Sequence, residues 1–227
     1  MPLKLIKKLK FMYNILPFLS QLSQNNNKDW FNEHKEQYLI AKQEMELLVT
    51  EMIQRIALFD PAVADLEAKK CVFRIYRDVR FSKNKYPYKN NMGGFMVPGG
   101  KNSGRAGYYL HLEPGSCFIA GGIYMPESTI LKKVREEILY NTESFKKIIQ
   151  HPDFKEYFGE IRGEKLKRPP KGYPDDFEDM ELLKFKSYNL IHYVSDDTVA
   201  QKGFIVKAVE IFEKMKDFNH FINQAIA

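Results

Sequence analysis

Arginine, lysine and tyrosine crowd one short segment of the sequence, and these residue types bind anions. The segment runs from Arg74 to Lys89 and reads RIYRDVRFSKNKYPYK. A guanidinium offers a planar fork of donors that fits a carboxylate or phosphate, and a lysine adds a mobile positive charge. The segment therefore predicts an oxyanion site whose ligand-binding residues are Arg74, Arg77, Arg80, Lys85 and Tyr88.

One carboxylate, that of Asp78, lies among these cations. We expect it to stay ionised and to hold one arginine in position. In an extended chain, side chains alternate between two faces, so Arg77 points one way and three charged groups point the other. The charges that would converge on one surface are those of Arg74, Asp78 and Arg80, and Asp78 could transfer a proton there.

The positive charge of the chain is concentrated in this region. Ten basic residues and one acidic residue lie between Lys69 and Arg105, a local net charge of +9, whereas the whole chain of 227 residues carries +6. The remainder is therefore slightly acidic. A solvated basic edge strand, in which charge prevents aggregation, is the alternative to a dedicated binding site.

Three residues outside this segment are further candidates. His111 could act as a general acid or base if it faces the arginines, although histidines on strands often serve only as half-buried hydrogen-bonding groups. Asn26 could supply amide donors and acceptors to a ligand. Arg168 belongs to a second basic stretch and could form another arm of the anion site, or simply lie in an exposed loop.

Several other chemistries lack their sequence signatures. The five histidines are dispersed without ligand spacing, so no metal site is predicted, and no cofactor is indicated. A nucleophile elbow and a phosphate-binding glycine loop are both missing. Cys71 and Cys117 are isolated in apolar segments, which favours a reducing cytoplasm. No apolar run approaches the roughly 20 residues that span a bilayer.

The elements that must position these residues follow an α+β order. Apolar periodicity predicts a helix from Phe18, a long helix over about residues 28–58 capped by Asn27, and a terminal helix after Asp196 or Asp197. Strands are predicted over residues 71–76, 93–97, 107–112, 117–124 and 186–194. We therefore expect a mainly antiparallel sheet from the central segment, packed against long N- and C-terminal helices. Residues 1–15 are predicted as a basic extension and residues 16–227 as one domain.

The string R-x-x-R-D-x-R-F-x-x-N-K-x-P-Y, which begins at Arg74, resembles the signature of the DUF2461 family. The resemblance extends over about residues 16–226 and includes the Asn25-Asn26 pair, the Gly107-Tyr-Tyr109 segment with His111, and the stretch from Leu166 to Tyr173. It implies membership of an uncharacterised family found in bacteria and some fungi. No reaction, cofactor or partner is implied with it.

Three functions are compatible with the arginine-rich segment. The first is a pocket for a phosphorylated or carboxylated small molecule, with Asp78 or His111 transferring protons if the protein is an enzyme. The second is nucleic-acid binding by residues 69–105, with cations on phosphates and aromatic rings on bases. The third is a structural lock in which the arginines pair with helix acids: Glu33, Glu36, Glu44 or Glu136. Oligomeric state is not indicated.

Overall fold

A four-stranded antiparallel sheet lies at the centre of the computed structural model, which describes residues 14–226. Its strands lie side by side in chain order: β1 Met92–Met96, β2 Gly107–Leu112, β3 Phe118–Ile123 and β4 Tyr188–Tyr193. The predicted hairpin between β2 and β3 is present, and the late strand β4 pairs with β3. The sheet and its helices confirm the predicted α+β class.

Eleven α-helices occur within the described residues. They are α1 Ile15–Gln24, α2 Lys28–Glu33, α3 Lys35–Ile56, α4 Ala68–Cys71, α5 Ser128–Tyr140, α6 Thr142–Gln150, α7 Pro152–Phe158, α8 Met180–Leu183, α9 Asp196–Val199, α10 Phe204–Lys214 and α11 Lys216–Gln224. The apolar stripe predicted on the long helix is buried at Met45, Leu48 and Met52. Each such side chain stabilises the fold by about 1.5–3 kcal/mol. Among the described helices, none is long and apolar enough to span a membrane.

Two predicted helices are divided in the structure. The helix over residues 28–58 breaks at His34, whose ring stacks on Trp30 and whose Nδ1 lies 2.8 Å from the Trp30 carbonyl oxygen. This side chain competes with the backbone for a helical acceptor. The terminal helix is three shorter ones, and Ser195 rather than Asp196 or Asp197 caps the first of them. Asn27 caps α2 as predicted, since its side chain accepts from the Trp30 N–H.

The predicted extension falls mostly on residues 1–13, outside the described part of the chain. Helix α1 begins at Ile15, which is fully buried, rather than at Phe18.

Within residues 14–226, the helices pack against one face of the sheet. Gly94 of β1 lies against Val49 of α3, and Gly121 of β3 lies against Met215 at the end of α10, so the absence of side chains lets both helices approach closely. On β2 the buried side chains of Tyr108, Leu110 and Leu112 point to this face. The alternate residues point to the other side, which we call the open face: Phe95, Tyr109, His111, Phe118, Ala120, Ile191 and Tyr193.

The predicted strand over residues 71–76 is wrong. Cys71 ends helix α4, and residues 72–77 make only isolated bridges with residues 87–94. Phe73 N–H donates to Gly93 O, and the next hydrogen bond runs from Lys89 N–H to Ile75 O. Between these two hydrogen bonds the arm advances by two residues, whereas the opposite segment advances by four. The two extra residues interrupt the ladder as a bulge does. We call residues 72–89 the basic arm.

Candidate anion-binding site

Asn26 holds the returning half of the basic arm against the helices. Its Oδ1 accepts from the Tyr88 N–H at 3.1 Å, and its Nδ2 donates to Tyr88 O at 3.0 Å and to Asn90 Oδ1 at 2.8 Å. The Tyr88 ring is buried and stacks on Phe31, with centroids 3.9 Å apart. Burial, and then the neighbouring Tyr76, raise the pKa of Tyr88. Asn26 and Tyr88, predicted to bind ligand, therefore anchor the arm instead.

Arg77 and Lys85 bind the loop at the end of the arm. Arg77 donates to Tyr86 O at 3.2 Å and to Ser82 Oγ at 3.3 Å, and Lys85 donates to Val79 O at 3.1 Å. These hydrogen bonds give partners to backbone carbonyl groups of the loop over residues 78–86, which has no regular secondary structure. Both side chains were predicted as ligand donors, yet their hydrogen bonds in the structure are internal.

Asp78 and Arg80 form the ion pair that the sequence predicted. Arg80 donates through Nε at 3.0 Å and through Nη2 at 2.6 Å to the Asp78 carboxylate. These hydrogen bonds hold the pKa of Asp78 below its ordinary value. A carboxylate with a lowered pKa is a weak proton acceptor at neutral pH, which argues against the predicted catalytic role of Asp78.

We expect Arg80→Ala to leave stability almost unchanged. The Arg80 side chain is 77% exposed and that of Asp78 is 47% exposed, and exposed ion pairs contribute little to folding. The unfolding midpoint in a thermal melt should stay within about 2 °C of the parent protein. A much larger decrease would mean that this pair supports the arm.

The structural lock predicted from the helix acids does not form. Among residues 14–226, no ion pair joins Arg74, Arg77 or Arg80 to an acid of the helices. Two of the proposed partners are engaged elsewhere, since Glu44 accepts from Asn14 and Glu136 pairs with Lys132.

Two lysines gather instead around the ring of Phe73 at the edge of the sheet. Lys101 Nζ lies 4.8 Å and Lys89 Nζ lies 5.5 Å from the ring centroid, within the range of cation–π attraction. Lys101 also donates to Val72 O at 2.9 Å, which fixes it in place. Arg74 is exposed and close enough to act on the Lys89 ammonium. We call Arg74, Lys89 and Lys101 the cation cluster.

The cation cluster forms no ion pair within residues 14–226, although its member Arg74 interacts at longer range with the Asp78 carboxylate, which is paired with Arg80. No carboxylate in the described residues lies within 4 Å of any of its three members. Burial, and then the charges of Arg74 and Lys101, lower the pKa of Lys89. Holding like charges together is unfavourable, and a bound anion would relieve this repulsion. The arrangement therefore suits a negatively charged ligand.

A chain of hydrogen bonds lies beside the cluster on the open face. Tyr109 Oη and His111 Nδ1 are 2.9 Å apart, and His111 Nε2 is 3.1 Å from a Glu113 oxygen. Burial, followed by the charge of Glu113, raises the pKa of Tyr109 to about 12. The Tyr109 ring lies across Gly93, because a Cβ there would stand 2.4 Å from the hydroxyl oxygen. His111 thus reaches the cluster only through Tyr109, whose ring meets Phe73 edge-on with 6.1 Å between centroids.

Arg168 is not brought to the basic arm. Its basic stretch follows residues 162–165, which bridge to Asn189 and Phe185 along the outer edge of β4. The arm lies along the outer edge of β1, at the opposite side of the four-stranded sheet. The structure therefore does not bring Arg168 together with the other predicted ligand-binding residues.

Neither of two cavities in the structure involves the predicted site. One of about 380 Å³ is lined by residues of 142–143 and 174–179, and another of about 250 Å³ lies between α7, β4 and α10. The cation cluster lies on an open surface. In the described part of the chain, no three His, Cys, Asp or Glu side chains are grouped so as to hold a metal.

A family described as "Conserved hypothetical protein (DUF2461)" matches residues 14–221. The chain belongs to the DUF2461 family. Nothing among curated proteins or solved structures matches the chain. The DUF2461 match covers the arm, the cation cluster and the whole sheet, so the site is built entirely from the family's own segment.

Sequence reasoning counted Lys89 and Lys101 in the basic region but did not single them out. Lys101 follows β1 in a glycine-containing loop, and only the return of that loop brings it to Phe73. Phe73 and Tyr109 were predicted as aromatic residues of strands, with no role in the site. The Gly93-Gly94 pair was the available signal, since adjacent glycines in a strand mark close approach of other groups.

Proposed function

We propose that the protein binds a phosphorylated or carboxylated ligand through Arg74, Lys89 and Lys101. The observation that carries the proposal is the placement of Lys89 and Lys101 at the ring of Phe73, with Arg74 close enough to act on Lys89 and no ion pair to either lysine within residues 14–226. Lysine in such a setting acts as a point charge that accepts several anion geometries, while Arg74 can supply a paired set of donors. The exposed site would admit a ligand with a large uncharged part.

Proton transfer is proposed only through His111. A ligand over Phe73 would lie beside Tyr109, whose hydroxyl is hydrogen-bonded to His111, and Glu113 orients the far side of the imidazole. Because the pKa of Tyr109 is raised, its hydroxyl stays protonated at neutral pH and can donate a hydrogen bond to an anion, while proton transfer falls to His111. This arrangement supports an acid–base role of His111, with Tyr109 as the group nearest the ligand.

Inorganic tripolyphosphate is the direct probe of the anion site. Isothermal titration of the whole chain at low salt should give saturable binding, and the thermal unfolding midpoint should rise with probe concentration. Binding should weaken as salt is added, because the contacts are ionic. If neither heat of binding nor stabilisation is found at low salt, the proposed function is wrong.

Sulfate affinity should fall with rising pH, starting below the pH at which an ordinary lysine loses its proton. The probe keeps its charge, whereas the lowered pKa of Lys89 means that this cation neutralises early. Burial raises the pKa of both Tyr88 and Tyr109, so neither loses its proton before an ordinary tyrosine does. The decrease can be followed by titration between pH 7 and pH 10.5.

The matched control for this pH dependence is Lys89→Arg, since a guanidinium stays charged over the whole range. It should retain sulfate affinity to higher pH than the parent protein. Equal pH profiles for the two proteins would contradict the assignment of Lys89 to the site.

We also propose a cytoplasmic location. Cys71 and Cys117 are both free and buried, as expected where thiols stay reduced. Burial, the largest cause, raises the pKa of both thiols, which keeps them protonated and unreactive. Fractionation of cells that express the chain, with detection by antibody, tests the location.

A further inference from the structure

We propose that the ligand of the cation cluster is single-stranded nucleic acid, whose bases stack on aromatic rings of the open face. This inference rests on the proposed function, because its phosphates would be held by Arg74, Lys89 and Lys101. It adds a second set of contacts, separate from those cations, that recognises the bases.

A row of rings crosses the open face from the cluster to the far strand. Phe73 and Tyr109 have centroids 6.1 Å apart, Tyr109 and Phe118 5.9 Å, and Phe118 and Tyr193 6.1 Å. The two ends of the row are the accessible ones, since Phe73 is 38% exposed and Tyr193 is 70% exposed. A base can therefore stack at each end, with the half-buried rings forming the floor between them.

The described helices pack on the face of the sheet opposite this row. The buried side of the sheet meets α3 at Gly94, the end of α10 at Gly121, and α7 through the hydrogen bond between His192 and the Tyr157 carbonyl. These contacts all lie on the face opposite Tyr109 and Tyr193. A row of partly exposed aromatic rings is unusual on a protein surface that contacts only water.

The charges favour a polyanion over an uncharged protein or a second copy of the chain. The cation cluster lies at the β1 end of the row, and the basic arm continues beyond it with the exposed Lys83 and Lys85. Glu113 is the carboxylate attached to the row, and it is held by His111. A second copy would bring an identical set of cations to the same face.

A single strand explains the combination better than a small anion or a duplex. Phosphates at the β1 edge occupy the cluster, yet Tyr193 lies three strands away on β4 and can touch only an extended ligand. Neighbouring strands are about 4.8 Å apart, so this separation exceeds one phosphate group. In a duplex the faces of the bases are already stacked on each other, whereas a single strand exposes them to aromatic side chains.

Fluorescence anisotropy with two labelled 12-mers tests the proposal on the whole chain. One is oligothymidylate and the other is an abasic strand with the same phosphate charge. We expect the thymidine strand to bind at least about tenfold more tightly, because stacking adds affinity for each base engaged. Three phosphate contacts predict a slope of about −2 for log affinity against log salt.

Tyr193→Ala should weaken oligothymidylate binding by roughly ten- to 100-fold and leave abasic binding unchanged. The matched control is Tyr140→Ala, because Tyr140 is 80% exposed on α5 and belongs to a different surface. Neither substitution removes a buried side chain. The control should bind both strands as the parent protein does.

Equal affinity for the two strands in the parent protein would overturn this inference without the need for any variant. The same holds if Tyr193→Ala and Tyr140→Ala have equal effects, or if light scattering shows a dimer that Tyr193→Ala dissociates. Retained tripolyphosphate binding in those cases would leave the proposed anion site intact. Loss of tripolyphosphate binding as well would overturn both.

Discussion

Replacing Lys89 and Lys101 together with alanine is expected to lower tripolyphosphate affinity by at least about 100-fold. A hydrogen bond to a charged group contributes about 1.5–3 kcal/mol, and two such contacts are lost. The change should be measured by isothermal titration at one low salt concentration. Arg74 alone would remain, and its exposed guanidinium would bind only weakly.

The same double variant should not lose stability. Burial, followed by the charges of Arg74 and Lys101, lowers the pKa of Lys89, so removing both lysines relieves a desolvation cost and a repulsion, and the unfolding midpoint should stay equal or rise. This combination of lost binding and retained stability separates a binding site from a structural one. The control is Lys132→Ala with Lys133→Ala, which removes the same charge from exposed positions on α5.

If both double variants lower the affinity equally, the effect is one of net charge, and the cation cluster is not the site. A lower unfolding midpoint in the Lys89 and Lys101 variant would instead indicate that these lysines brace the arm through Phe73 and Val72.

Asn26→Ala is expected to destabilise the protein by about 2–4 kcal/mol. The amide pairs with both backbone groups of Tyr88 in a buried setting, and alanine would leave them without partners at about 1–3 kcal/mol each. Urea unfolding followed by circular dichroism measures the change. The substitution should lower the urea concentration at the unfolding midpoint, without a large change in how steeply the unfolding free energy falls with urea.

Asn25→Ala is the neighbouring control, because its amide makes one exposed bond to Gln21 O within the helix end. Its effect should stay below about 1 kcal/mol. Similar values for the two variants would contradict the anchoring role of Asn26, and a ligand-binding role for that amide would then return.

The fold was largely predictable because its signals are local. The buried stripe of α3 follows from a 3.6-residue repeat, and the hairpin between β2 and β3 follows from a short turn between two aromatic strands. The cap at Asn27 depends on one side chain and one N–H three residues away. Such features need no knowledge of distant residues.

The errors arose where distant residues decide the local structure. Alternation along residues 71–80 assumed a continuous strand, but the two extra residues opposite the arm break the ladder. The pairing of Tyr88 with Asn26 joins positions 62 residues apart. Neither contact can be predicted from the spacing of residues in the sequence.

The sequence predicted an anion-binding surface but not which cations the fold would bring together. Arg77 and Lys85 donate to groups of their own loop, whereas Lys101, from a loop 27 residues beyond Arg74, reaches the Phe73 ring and the Val72 carbonyl oxygen. Which cation binds a backbone oxygen and which faces solvent depends on the path of the loop, so composition alone could not choose between them.

The anchor at Asn26 makes the ligand site thermodynamically dependent on the first helices. Opening of α1 and α2 away from the core would release Tyr88 and, with it, the strand segment that carries Lys89. Any ligand that favours the closed arm must, by linkage, suppress that local opening and slow amide exchange in helices it never touches. The stability of the first two helices and the affinity for the anion are therefore linked through the same opening equilibrium.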